Sequence, residues 1–213
     1  MTTLDIISDP ICPWCYIGKA RLDKALAEHP DHTFEIKWRP FQLNPDMPAE
    51  GMDRREYLET KFGKDGAVKA YAVVEQHAKD SGIHIDYAKI QRTPNTIDAH
   101  RLIRWAGIEG KQTDVVTELF KRNFELGEDI SDHAVLVDVA KSAGMDGEAI
   151  ARLLDSDADL AETRAEDRQA REMGVQGVPT FIVAGTYALS GAQPAETWAQ
   201  VIAELKEATL GGA

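Results

Sequence analysis

The sequence predicts an α/β protein with a β-α-β opening, a long helical excursion and a β-β-α close. Three observations carry that reading. Segments of strand character stand at residues 3–8 and 33–38 and return after position 178; helical periodicity fills the interval between; and the only two cysteines of the 213 residues, Cys12 and Cys15, fall where the first strand hands over to a helix.

Taken in order, Leu4, Ile6 and Ile7 mark the first strand, and Phe34, Ile36 and Trp38 alternate with polar neighbours in the second. Tyr16 to His29 reads as the helix between them. Pro40, Pro45 and Pro48 then exclude a regular element over the following loop. From Met52 to about Gly174 apolar residues recur at helical spacing, as in Ala67, Ala70, Tyr71, Val74 and Ala78, in Ala99, Leu102, Ile103 and Ala106, and in Val116, Leu119, Phe120 and Phe124. Asn95 or Thr96 caps the helix that follows Pro94. The acidic run from Asp155 to Asp167, broken by Arg164, reads as a solvated helix face. Pro179 to Val183 and Tyr187 to Ser190 form a hairpin about Gly185, and Trp198, Val201, Ile202 and Leu205 line one face of a last helix from Pro194 to Thr209. This outline is that of a thioredoxin fold with an all-helical insertion, residues 1–45 and 174–213 forming one discontinuous domain and 46–173 the insertion domain.

The formal charge of −12 argues against nucleic acid or an anionic membrane as partner. With no basic n-region and apolar h-region ahead of the first strand, the expected location is cytoplasmic, where a resting dithiol is largely reduced. Monomer and homodimer are equally consistent with the sequence.

Cys12-Pro13-Trp14-Cys15 holds two thiols one helical turn apart, and a disulfide needs β-carbons at about 3.5–4.5 Å, a separation that i and i+3 meet. Pro13 suits the first helical position, where its missing N–H has no partner to lose. The positive end of the helix dipole favours a thiolate on Cys12 over the deeper Cys15, which makes Cys12 the nucleophile and Cys15 the resolving thiol. A structural disulfide across so short a loop would constrain the unfolded chain little. A zinc site usually takes a second cysteine pair or a His-x-x-x-His pair, and the chain has neither, so no metal is expected. Trp14 and Tyr16 flank the cysteines and offer an apolar landing surface, with packing the plainer role for Tyr16. Far down the chain, Gly177-Val178-Pro179-Thr180 puts a proline at the start of an apolar strand.

Cys12 to Gly18, Pro40 to Leu43, Asn95-Thr96 with Ala99-His100-Arg101, and Gly174 to Phe181 together resemble the DsbA-like superfamily, and within it the FrnE-type dithiol-disulfide oxidoreductases and isomerases. The resemblance implies a cis Pro179 set against the dithiol, with the Val178 backbone presented to an extended substrate as an added strand, and Pro13 and Trp14 bordering the same surface. It implies thiol-disulfide exchange with protein or peptide substrates, no bound cofactor beyond the Cys12–Cys15 couple, and glutathione as an optional co-substrate. It also suggests Asp5 as a buried acid relaying a proton to the resolving thiol, and His100 as a residue of the cleft, although packing is the commoner role for such a histidine. Two other functions fit less well. Glutathione-dependent isomerases and kappa-type glutathione transferases share the insertion but typically carry serine at the position of Cys12. A non-catalytic module would use the thiols only to sense oxidation.

Overall fold

A computed structural model describes residues 1–211. The side chains of Phe62, of residues 64–70 and of residues 209–211 lie outside that description, and with them the expected helical positions Ala67, Ala70 and Thr209.

The chain opens with β1 (Thr2–Ser8), α1 (Pro13–Glu28) and β2 (Phe34–Pro40), and closes with β5 (Thr180–Val183), β6 (Tyr187–Ser190) and α8 (Ala195–Gly211). These strands make one sheet in the order β2-β1-β5-β6. β1 runs parallel to β2, from Thr2 opposite Phe34 to Ser8 opposite Pro40, and antiparallel to β5, from Leu4 opposite Val183 to Ile7 opposite Thr180. Side chains alternate between the sheet faces, so Leu4, Ile6, Phe181 and Val183 share one face, all fully or nearly fully buried. That face meets α1 through Ile17 and Leu22 and α8 through Trp198, whose ring stands edge-on to Phe181 at 4.7 Å. Ile7 and Ile182 point the other way and pack with Phe41 and Ala170.

Between the two halves lie β3 (Met52–Asp53), α2 (Arg54–Asp80), β4 (Arg92–Thr93), α3 (Ile97–Ile108), α4 (Gln112–Lys121), a π-helical turn (Arg122–Leu126), α5 (His133–Ser142), α6 (Gly147–Leu154) and α7 (Leu160–Glu172). The helical insertion therefore carries one antiparallel pairing, Met52 opposite Thr93 and Asp53 opposite Arg92. Two residues per strand are too few to leave a period in the sequence. Asn95 rather than Thr96 supplies the cap of α3, its carboxamide oxygen accepting from the Ile97 N–H at 2.9 Å.

The insertion is packed onto the sheet, since α3, α4 and α7 all meet β2. β2 is an edge strand, and Gln112 closes the edge as a further strand would. Its side-chain oxygen accepts from the Trp38 N–H at 3.0 Å and its nitrogen donates to the Trp38 carbonyl at 3.3 Å. The packing of α7 corrects the solvated reading of residues 155–167 only in part: Asp155, Asp157 and Glu162 are exposed, and the buried acid of the run is Asp167. Asp167 is 5% exposed and accepts from the Gln42 N–H at 2.6 Å, while Asp159, at φ 55°, accepts from the Trp105 indole N–H at 2.9 Å. Asp167 is buried where α7 packs on β2 and finds its donor there, whereas Asp159, partly exposed just ahead of the helix, finds one on α3.

Candidate active site

Ser8 ends β1, and residues 9–11 turn the chain into α1. Cys12 stands at the helix cap in an extended conformation (φ −87°, ψ 112°), with Pro13 in the first helical position. Its N–H donates to the Asp9 carbonyl at 2.9 Å, and its own carbonyl accepts from Cys15 and Tyr16 at 3.0 and 3.2 Å. Both cysteines are free thiols, Cys12 4% and Cys15 1% exposed. Burial pushes the Cys15 thiol well up, and the neighbouring Cys12 sulfur adds to the rise, while the Ser8 hydroxyl and the Asp9 backbone oppose it.

The structure brings Val178 and Pro179 to this pair across 166 positions of sequence. The Val178–Pro179 bond is cis, and the Cys12 thiol donates to the Val178 carbonyl at 3.5 Å. The α1 helix can approach so closely because position 18 lacks a side chain. A β-carbon on Gly18 would stand 3.1 Å from the Pro179 ring and 3.3 Å from Phe181. Both neighbours are rigid and buried in the sheet layer, so Gly18→Ala is expected to cost about 1–2 kcal/mol net, overpacking outweighing the helical preference for alanine. Chemical denaturation of the reduced protein measures it, and an unchanged or raised stability would show that the Pro179 loop yields freely.

Pro13 and Trp14 line a cleft of about 360 Å³ together with Cys12 and Val178, its far wall built by α2 and by Phe124 of the π-helical turn. Trp14 lies against His77, ring centroids 5.1 Å apart. Tyr16 takes the packing role, stacked on Phe120 and Phe124 at 5.1 and 5.8 Å with its hydroxyl donating to Glu125 at 2.6 Å.

Two expected residues lie elsewhere. Asp5 does not serve Cys15. It shares the Ile7 face of β1, whereas the dithiol helix packs on the Leu4–Ile6 face, and its carboxylate pairs with Arg39 at 2.7 Å. His100 is 3% exposed and sits behind the dithiol turn rather than on the cleft wall, its Nε2 without a hydrogen-bond partner. The buried acid of this region is Asp9, which the sequence reading passed over. It is fully enclosed, accepts from the Leu43 N–H at 2.7 Å and the Ile11 N–H at 3.3 Å, and faces His100 at 3.8 Å. Burial dominates both, raising Asp9 to about 7 and lowering His100 to about 4. Its place immediately after the strand, in the turn that carries the Cys12 N–H, was the available signal. Among the described residues no group of three or more His, Cys, Asp or Glu side chains is placed to hold a metal ion. No helix among them is long and apolar enough to cross a membrane.

A dithiol at the head of α1, set against a cis-proline loop in a β-α-β/β-β-α sheet, defines a thioredoxin-fold thiol protein. The DSBA-like thioredoxin domain model matches residues 3–203, and the chain belongs to that family. It is similar to a probable DsbA oxidoreductase, SCO1869 of Streptomyces coelicolor, at 32% identity over 96% of this chain and 89% of that one, with a TM-score of 0.85. A curated relative, the uncharacterized protein YwbO of Bacillus subtilis, is 24% identical across 86% of this chain and 87% of its own length. The cytosolic disulfide reductase DsbM of Pseudomonas aeruginosa, also solved with GSH, shares the fold at 19% identity, covering 99% of this chain and 100% of that one with a TM-score of 0.66.

Proposed function

We propose that the protein is a dithiol-disulfide oxidoreductase of the FrnE type, exchanging disulfides with protein or peptide substrates through Cys12 and Cys15. The observation that carries this reading is the 3.5 Å contact between the Cys12 thiol and the Val178 carbonyl. A substrate strand that pairs with the Val178 backbone is thereby aligned with its sulfur beside Cys12. The Cys12 thiolate attacks one sulfur of the substrate disulfide, and the other leaves as a thiolate. Cys15 then loses its proton and attacks the Cys12 sulfur, releasing the second substrate thiol and closing the Cys12–Cys15 disulfide. Run in reverse, the same steps oxidise a substrate dithiol, and repeated cycles on one misfolded client amount to isomerisation.

Retention of a thiol at position 12 separates this reading from a kappa-type glutathione transferase, which needs only to hold glutathione. Trapping tests it. Cys15→Ser, expressed in cells and collected under acid quench, is expected to carry protein adducts that a reductant releases. Adducts of glutathione alone would favour the glutathione-dependent reading, and a bare thiol would sink both.

A further inference from the structure

Asparagine is a poor helix former, and a buried carboxamide without a hydrogen-bond partner is a further cost to the fold. The chain has three asparagines, and two are committed to structure. Asn95 caps α3 and donates to the Met47 carbonyl at 2.6 Å, and Asn44 accepts from the Tyr57 hydroxyl at 2.9 Å. Asn123 is neither a cap nor a cross-link. It stands in the π-helical turn after α4, 3% exposed, and its carboxamide makes no hydrogen bond among the described residues. Both of its polar atoms nevertheless keep contact with solvent, unlike the Asn44 nitrogen, which is sealed in. Asn123 also lines the cleft that holds Cys12 and Val178. A residue so little exposed has almost no other surface to present there, so the carboxamide is what the cleft meets. Widened turns of this kind occur mostly where a helix carries a functional group.

An extended strand has hydrogen-bonding groups on both edges, successive residues turning their N–H and C=O opposite ways. A substrate strand that pairs with Val178 on one edge therefore turns the next residue's N–H and C=O toward the other wall, where Leu43, Val74 and Phe124 offer no partner. A peptide group left unmet among apolar side chains weakens binding. A carboxamide both donates and accepts, which suits it to a single residue's N–H and C=O together. We propose that Asn123 is a specificity-determining residue of the cleft, pairing with the outer backbone edge of an extended peptide while Val178 holds the inner edge. This rests on the exchange reading above and narrows its substrate class to disulfides carried on extended polypeptide, in preference to disulfides without peptide groups.

The test follows oxidation of the reduced protein by two probes, the symmetric disulfide of an extended single-cysteine peptide and bis(2-hydroxyethyl) disulfide, which has no peptide group. Each probe is compared with itself between proteins, so its intrinsic reactivity cancels. Asn123→Ala is expected to slow the peptide probe about tenfold, the cost of a buried peptide group left unpaired, and to leave the small probe within about twofold. Asn123→Gln, which keeps the carboxamide, should recover part of the loss. Equal slowing of both probes would make Asn123 a structural support of the dithiol, and no slowing of either would make it idle; each result overturns the assignment. A second measurement needs no variant. Replacing the backbone N–H by an ester oxygen, one position at a time around the peptide cysteine, should slow the unaltered protein at two adjacent positions, one for each edge. Sensitivity at a single position, or at alternate positions only, would mean that Val178 alone reads the strand and would overturn the second edge. Failure of both probes to oxidise the dithiol would instead overturn the exchange reading itself, and the role of Asn123 with it.

Discussion

Cys12→Ser is expected to lower the rate of insulin disulfide reduction to the uncatalysed background, a loss of about a thousandfold or more, with the fold retained. A hydroxyl at this position has no thiolate to offer at neutral pH and cannot form a mixed disulfide, so no alternative route through the site remains. Cys15 is no substitute nucleophile, being 1% exposed and held protonated by burial and by the neighbouring sulfur. Equal rates in Cys12→Ser and the unaltered protein would remove the assignment outright.

The same arrangement explains how Cys15 acts second. Once Cys12 is tied up in a mixed disulfide its thiolate charge is gone, and one cause of the raised Cys15 titration goes with it. The Ser8 hydroxyl and the Asp9 backbone remain to stabilise the new thiolate. Ser8→Ala should therefore lengthen the life of the mixed disulfide by about three- to tenfold, the worth of one hydrogen bond, without altering the first attack comparably.

The dithiol and the proline strand were legible because they rest on rare residues at element boundaries. Two cysteines three positions apart after a strand, and a proline opening another strand, keep their meaning in one dimension. Asp9 and Arg54 do not. Asp9 precedes Pro10 and reads as an ordinary turn residue; it becomes a buried acid only because Leu43, Thr96 and Asp167, contributed by a loop and two helices, close over it. Asp5, on the strand itself, looked the better acid, and a shift of face placed it against Arg39 instead. Arg54 and Arg55 are the same residue type side by side, and nothing in one dimension says that Arg54 lines the cleft while Arg55 pairs with Glu59 at the surface. The helical periods located α3 and α4 well, but not the π-helical turn that carries α4 on to Phe124, since widening one turn keeps the apolar residues on nearly the same side.

Asp9 and His100 are expected to give the protein opposing pH dependences that nearly cancel, and single substitutions should expose each. Asp9 titrates near 7 in the fold against an unperturbed 3.8, so the folded state holds an extra proton between those values. Its contribution is fully present below 3.8 and is lost as pH rises through 7. His100 is lowered from 6.5 to about 4, so the folded state holds one proton fewer in that window, and stability from this group grows as pH rises from 4 to 6.5. Over the shared window the two slopes have opposite sign and similar size. The groups lie 3.8 Å apart, and Asp167 adds negative charge beside both. Asp9→Asn keeps the shape of the protonated acid and removes its titration; the variant should gain stability relative to the unaltered protein as pH climbs from 4 to 6.5, by up to about 3 kcal/mol. His100→Gln should move the other way, losing relative stability as pH climbs from 4 to 6.5 by a comparable amount. Urea denaturation at half-unit pH intervals reads both. Parallel curves for all three proteins would mean that neither group titrates differently in the folded chain, and the enclosed pair behind Cys12 would then be open to water.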